Sequence, residues 1–171
     1  IGFTSSRKGV LNVNTGGVAK IFGGLSISST LGNGTINVAG GSLEYNPANF
    51  DTNSGIINVT AGSFKLLNTT PTINAISVTT NGVINIGGGT LDASGPLTIG
   101  HGTTTTAAVT VNLNSGTMNI AGALTISAPT GIYTGLVNID AGSIVLDGDQ
   151  TAGITTLVTA GRITVSGAAL A

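Results

Sequence analysis

The sequence predicts an all-β fold, a single-stranded right-handed parallel β-helix or solenoid of about seven coils, with residues 1–171 forming one domain. Three observations carry the prediction. A tripeptide with Asn between two apolar residues recurs six times. A glycine and then an apolar residue follow each Asn at constant offsets. The composition combines 28 glycines and 40% hydrophobic residues with only 6% charged residues.

The copies are Leu11-Asn12-Val13, Ile36-Asn37-Val38, Ile57-Asn58-Val59, Ile84-Asn85-Ile86, Val111-Asn112-Leu113 and Val137-Asn138-Ile139. Successive asparagines are separated by 25, 21, 27, 27 and 26 residues. The glycines at the fourth position after Asn are Gly16, Gly41, Gly62, Gly89, Gly116 and Gly142. The apolar residues at the sixth are Val18, Leu43, Phe64, Leu91, Met118 and Ile144. A degenerate seventh copy, Leu157 to Ile163, keeps a glycine at Gly161 and loses the Asn.

Each copy reads as two short strands of period two joined by a bend, where glycine permits positive φ. A third alternation follows in several units, as Leu25-Ser26-Ile27, Ile76-Ser77-Val78, Leu97-Thr98-Ile99 and Leu124-Thr125-Ile126. Three strands and three bends make a triangular coil, and no segment shows helical periodicity. One coil cannot bury its apolar side alone, so copies must stack in parallel. Crossovers between parallel strands are right-handed by default. An antiparallel sandwich would not explain the fixed Asn and Gly offsets.

The stretch Gly34-Thr35-Ile36-Asn37-Val38-Ala39-Gly40-Gly41-Ser42-Leu43 and its copies resemble secreted bacterial β-helix repeats. These include autotransporter-type passengers, haemagglutinin-like adhesins and β-helical carbohydrate-binding modules. The segments Leu146 to Thr151 and Thr159 to Thr164 are similar to the end unit of such arrays. The resemblance implies a secreted, extracellular or cell-surface setting. The start at Ile1 agrees with a piece of a larger secreted protein.

Composition narrows the partners. The net charge is −1 and the five basic residues Arg7, Lys8, Lys20, Lys65 and Arg162 are scattered apart from the first two, which argues against nucleic acid and against an anionic membrane surface. No apolar run approaches the roughly 18 residues needed to span a bilayer. Without Cys there are no disulfides and no thiol chemistry. Mean hydropathy of +0.45 supplies enough apolar burial for folding despite the low charge.

Candidate site residues are few. The asparagines should form an outward ladder whose amides bond from coil to coil. Seven residues after each ladder Asn come Ala19, Glu44, Lys65, Asp92, Asn119 and Val145, expected to point outward from the second strand of each coil. Glu44, Lys65, Asp92 and Asn119 are therefore ligand-binding candidates. Two irregular insertions, Asn46–Ser54 and Ala128–Gly135, add Phe50 and Tyr133 as aromatic platforms for sugar rings.

Catalysis is not expected. His101 is the only histidine, which rules out a multi-histidine metal site, and the carboxylates outside the Glu44 and Asp92 row sit at unrelated offsets. Asp147-Gly148-Asp149 lacks the ligand spacing of a calcium loop and reads as a turn. No metal or cofactor is implied. Thr103 to Thr106 raise ice recognition, but one run in one loop is not a row repeated in successive coils.

The expected function is thus a non-catalytic module attaching to polysaccharide. A spacer, adhesin or self-assembling fibre unit is the alternative, with a lyase or hydrolase behind both. The last strand and the Ile1-Gly2-Phe3 start offer no obvious cap. The ends should therefore meet neighbouring domains or copies of this chain placed end to end.

Overall fold

The structure is a computed structural model, and it describes residues 9–23, 25, 34–51, 55–74, 82–100, 108–127 and 134–166. The chain is an all-β solenoid of about five turns with one short helix. Its elements follow the coil in order. β1 (Val10–Asn14) and β2 (Val18–Ile21) lie on the first rung, then β3 (Thr35–Tyr45) and β4 (Asn49–Asp51), and then β5 (Ile56–Leu66) and β6 (Thr72–Asn74). Two rungs of three separate strands follow: β7 (Gly82–Ile86), β8 (Thr90–Ala93) and β9 (Leu97–Ile99), then β10 (Ala108–Leu113), β11 (Thr117–Ile120) and β12 (Leu124–Ile126). β13 (Thr134–Ile139), β14 (Ser143–Leu146), α1 (Thr151–Thr159) and β15 (Ile163–Val165) end the array.

Every ladder pairing is parallel. On the first side the register aligns Asn12, Asn37, Asn58, Asn85, Asn112 and Asn138, with Thr164 in the seventh place. On the second side it aligns Leu43, Phe64, Leu91, Met118 and Ile144. The third side is a separate sheet that stacks Phe50, Ile73, Ile99 and Ile126. Alternation puts these apolar residues inside, where nearly all are fully buried in one aliphatic core. Among the described residues, Tyr45 meets Phe50 at 4.9 Å and Phe50 meets Phe64 at 5.2 Å, edge to face, inside the second and third rungs.

The expected seven coils resolve differently. Seven strands do stack on the first side, but the first rung has no third strand among the described residues, and β15 stands alone as the last. The expected seventh copy at Leu157–Ile163 is instead the end of α1 and a turn through Gly161, and the seventh rung is Ile163-Thr164-Val165. No helix was expected. In α1, Ile154, Leu157 and Val158 recur at helical spacing and pack partly buried against the end of the core. The end at α1 is therefore not bare.

At most of the ladder repeats, the glycine that follows Asn is required for a different reason than a bend at positive φ. Gly16 and Gly62 do have φ of 76° and 81°, as expected, but Gly41, Gly89, Gly116 and Gly142 do not lie in that region. Instead, a Cβ on each would strike the carbonyl oxygen of the glycine one coil earlier. At Gly41 it would come 2.6 Å from Gly17 O, at Gly89 2.7 Å from Gly62 O and at Gly142 2.5 Å from Gly116 O, while Gly62 and Gly116 meet Gly41 O and Gly89 O closer still. Those carbonyls accept the next coil's amides: Ser42 N–H donates to Gly17 O, Thr117 N–H to Gly89 O and Ser143 N–H to Gly116 O. The first coil reaches this column with Gly17 rather than Gly16, because three residues separate Asn14 from Val18 where two separate their partners Ala39 and Ser42.

Two outcomes check these assignments. Gly116→Val should destabilise the fold by about 1–3 kcal/mol through overpacking against Gly89 O and Ile86, whereas Gly87→Ala, which meets nothing within 4 Å, should leave the melting temperature nearly unchanged. Equal effects at the two positions would disprove the column. At the helix start, the Thr151 hydroxyl and then its backbone N–H hold the Asp149 carboxyl below its ordinary value of 3.8. A lowered folded value means the contact stabilises α1 at pH above 3.8 and is lost as the pH falls through the folded value. The Thr151 amide signal in NMR should titrate with a midpoint below 3.8, and Asp149→Asn should abolish that titration.

Candidate functional site

The six asparagines form the expected ladder. Asn37 Nδ2 donates to Asn12 Oδ1 at 2.9 Å, Asn58 to Asn37 at 3.0 Å, Asn85 to Asn58 at 2.9 Å, Asn112 to Asn85 at 2.8 Å and Asn138 to Asn112 at 2.8 Å. All five bonds run in one direction, and the Thr164 hydroxyl ends the row by donating to Asn138 Oδ1 at 2.6 Å. Each inner amide gives and takes one bond within the protein. The ladder is thus occupied chiefly with its own chain.

The second side presents the more varied outer surface. Parallel register and period-two alternation arrange its outward residues in three columns. The first is Val18, Ser42, Ser63, Thr90, Thr117 and Ser143. Here Ser63 Oγ donates to Ser42 Oγ at 3.2 Å, and the Thr117 and Ser143 hydroxyls also lie 3.2 Å apart. The second column is Lys20, Glu44, Lys65, Asp92, Asn119 and Val145. Backbone bonds carry the register one residue past the strands, so the third column begins with Phe22, Asn46, Leu67 and Ser94.

The middle column holds two paired groups, Lys20-Glu44-Lys65 and Asp92-Asn119. Lys20 Nζ lies 3.3 Å from Glu44 Oε2 and Lys65 Nζ lies 3.8 Å from Glu44 Oε1, so one carboxylate is bracketed by two ammonium groups. Asp92 accepts from Thr90 Oγ1 at 2.8 Å and from Asn119 Nδ2 at 2.6 Å. Such surface ion pairs contribute roughly 0–1 kcal/mol each, so their geometry does little for stability. Lys20 and Lys65 remain well exposed.

The structure brings Glu44, Lys65, Asp92 and Asn119 together on one face, as their shared offset implied. It replaces Ala19 with Lys20 as the first member. Ala19 pairs with Leu43 and packs toward the core, because the corner Thr15–Gly17 is one residue longer than the corner Gly40-Gly41 of the next coil and shifts the second side of the first coil by one residue. The tandem Gly16-Gly17 was the signal of that extra residue. Phe50 must be withdrawn as a platform: it is 1% exposed, and the expected insertion Asn46–Ser54 contains β4, which turns Phe50 inward between Tyr45 and Phe64. Tyr133, His101 and Thr103–Thr106 lie outside the described residues.

Phe22, which sequence reasoning missed, is 74% exposed two residues beyond Lys20. It was hidden because Ile21-Phe22 reads as one apolar pair until the register shows that Ile21 points in. On the third side Thr72, Thr98 and Thr125 share an outward column, a three-residue row narrower than the second side. Asp147 and Asp149 flank a turn at Gly148, with φ of 70°, that leads into α1. No group of three or more His, Cys, Asp or Glu residues able to hold a metal occurs among the described residues, and no helix there is long and apolar enough to cross a membrane. Comparison with protein-family models, curated proteins and solved structures finds no match to this chain.

The ladder's role can be separated by position. Asn85→Ala breaks two bonds and strands a part-buried donor and acceptor on its neighbours, so it should cost about 1–3 kcal/mol. Asn12→Ala removes one bond at the end of the row and should cost clearly less in thermal or denaturant melting.

Proposed function

We propose that the chain is a non-catalytic, extracellular or cell-surface module of a larger secreted protein, wound as a right-handed β-helix, that attaches to polysaccharide through the outer face of its second side. The observation that carries this reading is the straight row of Lys20, Glu44, Lys65, Asp92 and Asn119 running beside the exposed ring of Phe22. Charged and amide groups one rung apart offer donors and acceptors to successive sugar hydroxyls, and an aromatic ring offers an apolar surface to a pyranose face. The Ser and Thr column alongside adds hydroxyls at the same spacing. A flat, regularly spaced face suits a polymer better than a small molecule, which favours concave pockets.

A second reading is supported by the ladder. A row of amides that bond mainly to one another makes a stiff rod without requiring a ligand, as a spacer or fibre unit needs. The two readings separate in affinity electrophoresis or pull-down with insoluble and soluble polysaccharides. For the binding module, Phe22→Ala and the triple change Glu44→Ala, Lys65→Ala, Asp92→Ala should each weaken retention, while stability stays within about 1 kcal/mol per lost pair. Retention by no polysaccharide in the unsubstituted chain would reject the binding module and leave the spacer.

A further inference from the structure

We propose that two copies of this chain pair through the outer face of the second side, antiparallel and related by a two-fold axis, with the first four rungs of one copy meeting those of the other in reverse order. This goes beyond polysaccharide attachment and does not rest on it, although both use the same face.

Exposed apolar groups single out this face. Among the described residues five large apolar side chains are exposed, and four of them, Val18, Phe22, Leu67 and Val145, stand in its three columns. Clustered apolar exposure of this kind marks an interaction surface. The charges left over after pairing within the chain point the same way. Lys20 and Lys65 share one carboxylate, Glu44, so the first three rungs carry an excess of one positive charge. Asp92, on the fourth rung, accepts from Thr90 and Asn119 but pairs with no ammonium among the described residues. One straight row thus has an uncompensated positive end and an uncompensated negative end.

The order of the charges selects a second copy as the occupant and fixes the register. Rung by rung the row runs Lys20, Glu44, Lys65, Asp92, positive and negative in turn. Two copies facing each other in parallel would oppose like charges at every rung. Turning one end for end, with rung one over rung four, opposes unlike charges at all four: Lys20 faces the second copy's Asp92, Glu44 faces its Lys65, and the two-fold axis repeats both. A shift by one rung in either direction brings lysine onto lysine. The flanking columns agree with the same register. Val18 faces Thr90, Ser42 faces Ser63, and each Phe22 lies diagonally against the other copy's Leu67. Four rungs at about 4.8 Å and three columns about 7 Å apart make a face of roughly 400 Å² per copy. That is about half of what a stable complex buries on each partner, so the pair is weak and concentration-dependent.

Sedimentation velocity and small-angle scattering of the unsubstituted full chain, from micromolar to millimolar concentration, should show monomer passing to dimer and no further, because a two-fold contact closes on itself. Added salt should reverse the association. Zero-length carbodiimide coupling joins an ammonium to a touching carboxylate with loss of water, and in the dimer it should link Lys20 to Asp92. Within one copy these residues stand three rungs, about 14 Å, apart, so a peptide joining them reports the pair alone. Lys65→Glu sets carboxylates opposite one another at two places and should weaken association roughly tenfold or more. Adding Glu44→Lys to that variant should restore the dimer, since the facing positions regain opposite signs. A chain that stays monomeric at every concentration, coupling that never links Lys20 to Asp92, or a Lys65→Glu variant that associates as well as the unsubstituted chain would overturn the proposal. Polysaccharide is absent from all these measurements, so their failure would leave the binding reading standing.

Discussion

The rest of the molecule depends on how closely consecutive coils approach at the glycine column. Gly17, Gly41, Gly62, Gly89, Gly116 and Gly142 each stand where a Cβ would be within van der Waals distance of backbone, and in five of them the obstacle includes the carbonyl of the preceding column glycine. That carbonyl is also the acceptor for the amide just beyond the next glycine in several rungs. The missing side chain and the backbone hydrogen bond are therefore one feature: the coils can hydrogen-bond through the corner only because nothing projects between them. This fixes the register of both adjoining sides together. On the first side it aligns the asparagines, and on the second it aligns the apolar residues that form the core.

Once the register is fixed, the two sides diverge in what they leave for other molecules. On the first side identical amides lie opposite one another, so each satisfies its neighbour and that column is chemically uniform. On the second side the aligned residues of the middle column differ from rung to rung, and the pairing there is between unlike groups: ammonium with carboxylate and amide with carboxylate. Identity along a column favours rigidity, and variation along a column favours recognition. The same spacing produces both.

Much of this was legible in the sequence because a solenoid repeats its constraints. Fixed offsets from Asn to Gly to the next apolar residue carried the parallel register, the ladder and most of the charged row. What could not be read was where a local irregularity broke the count. The extra residue in the corner Thr15–Gly17 moved Lys20 into the row and Ala19 out of it. Phe50 looked like a loop aromatic because Pro47 stands just ahead of a strand only three residues long, too short to show alternation. α1 escaped notice because Thr151 to Thr159 is rich in β-branched residues, whose intrinsic preference is for strand. Its helical state rests on the tertiary contacts of Ile154, Leu157 and Val158, which no local pattern announces.

Charge explains why recognition by such a rod would have to be local. With 11 charged residues and a net charge of −1, the protein projects little field beyond a Debye length, and Lys20, Glu44, Lys65 and Asp92 cancel within their own row. A highly charged polymer would find no matching potential to draw it in. A neutral one loses nothing by that absence, since its hydroxyls need only nearby donors and acceptors with compatible spacing. Each contact of this kind is weak, and strength would come from the number engaged at once along the row, where the second and later contacts form without the full cost of association. A stiff array of equally spaced groups meets that requirement because the backbone, through its glycine column, has already ordered the side chains before any ligand arrives.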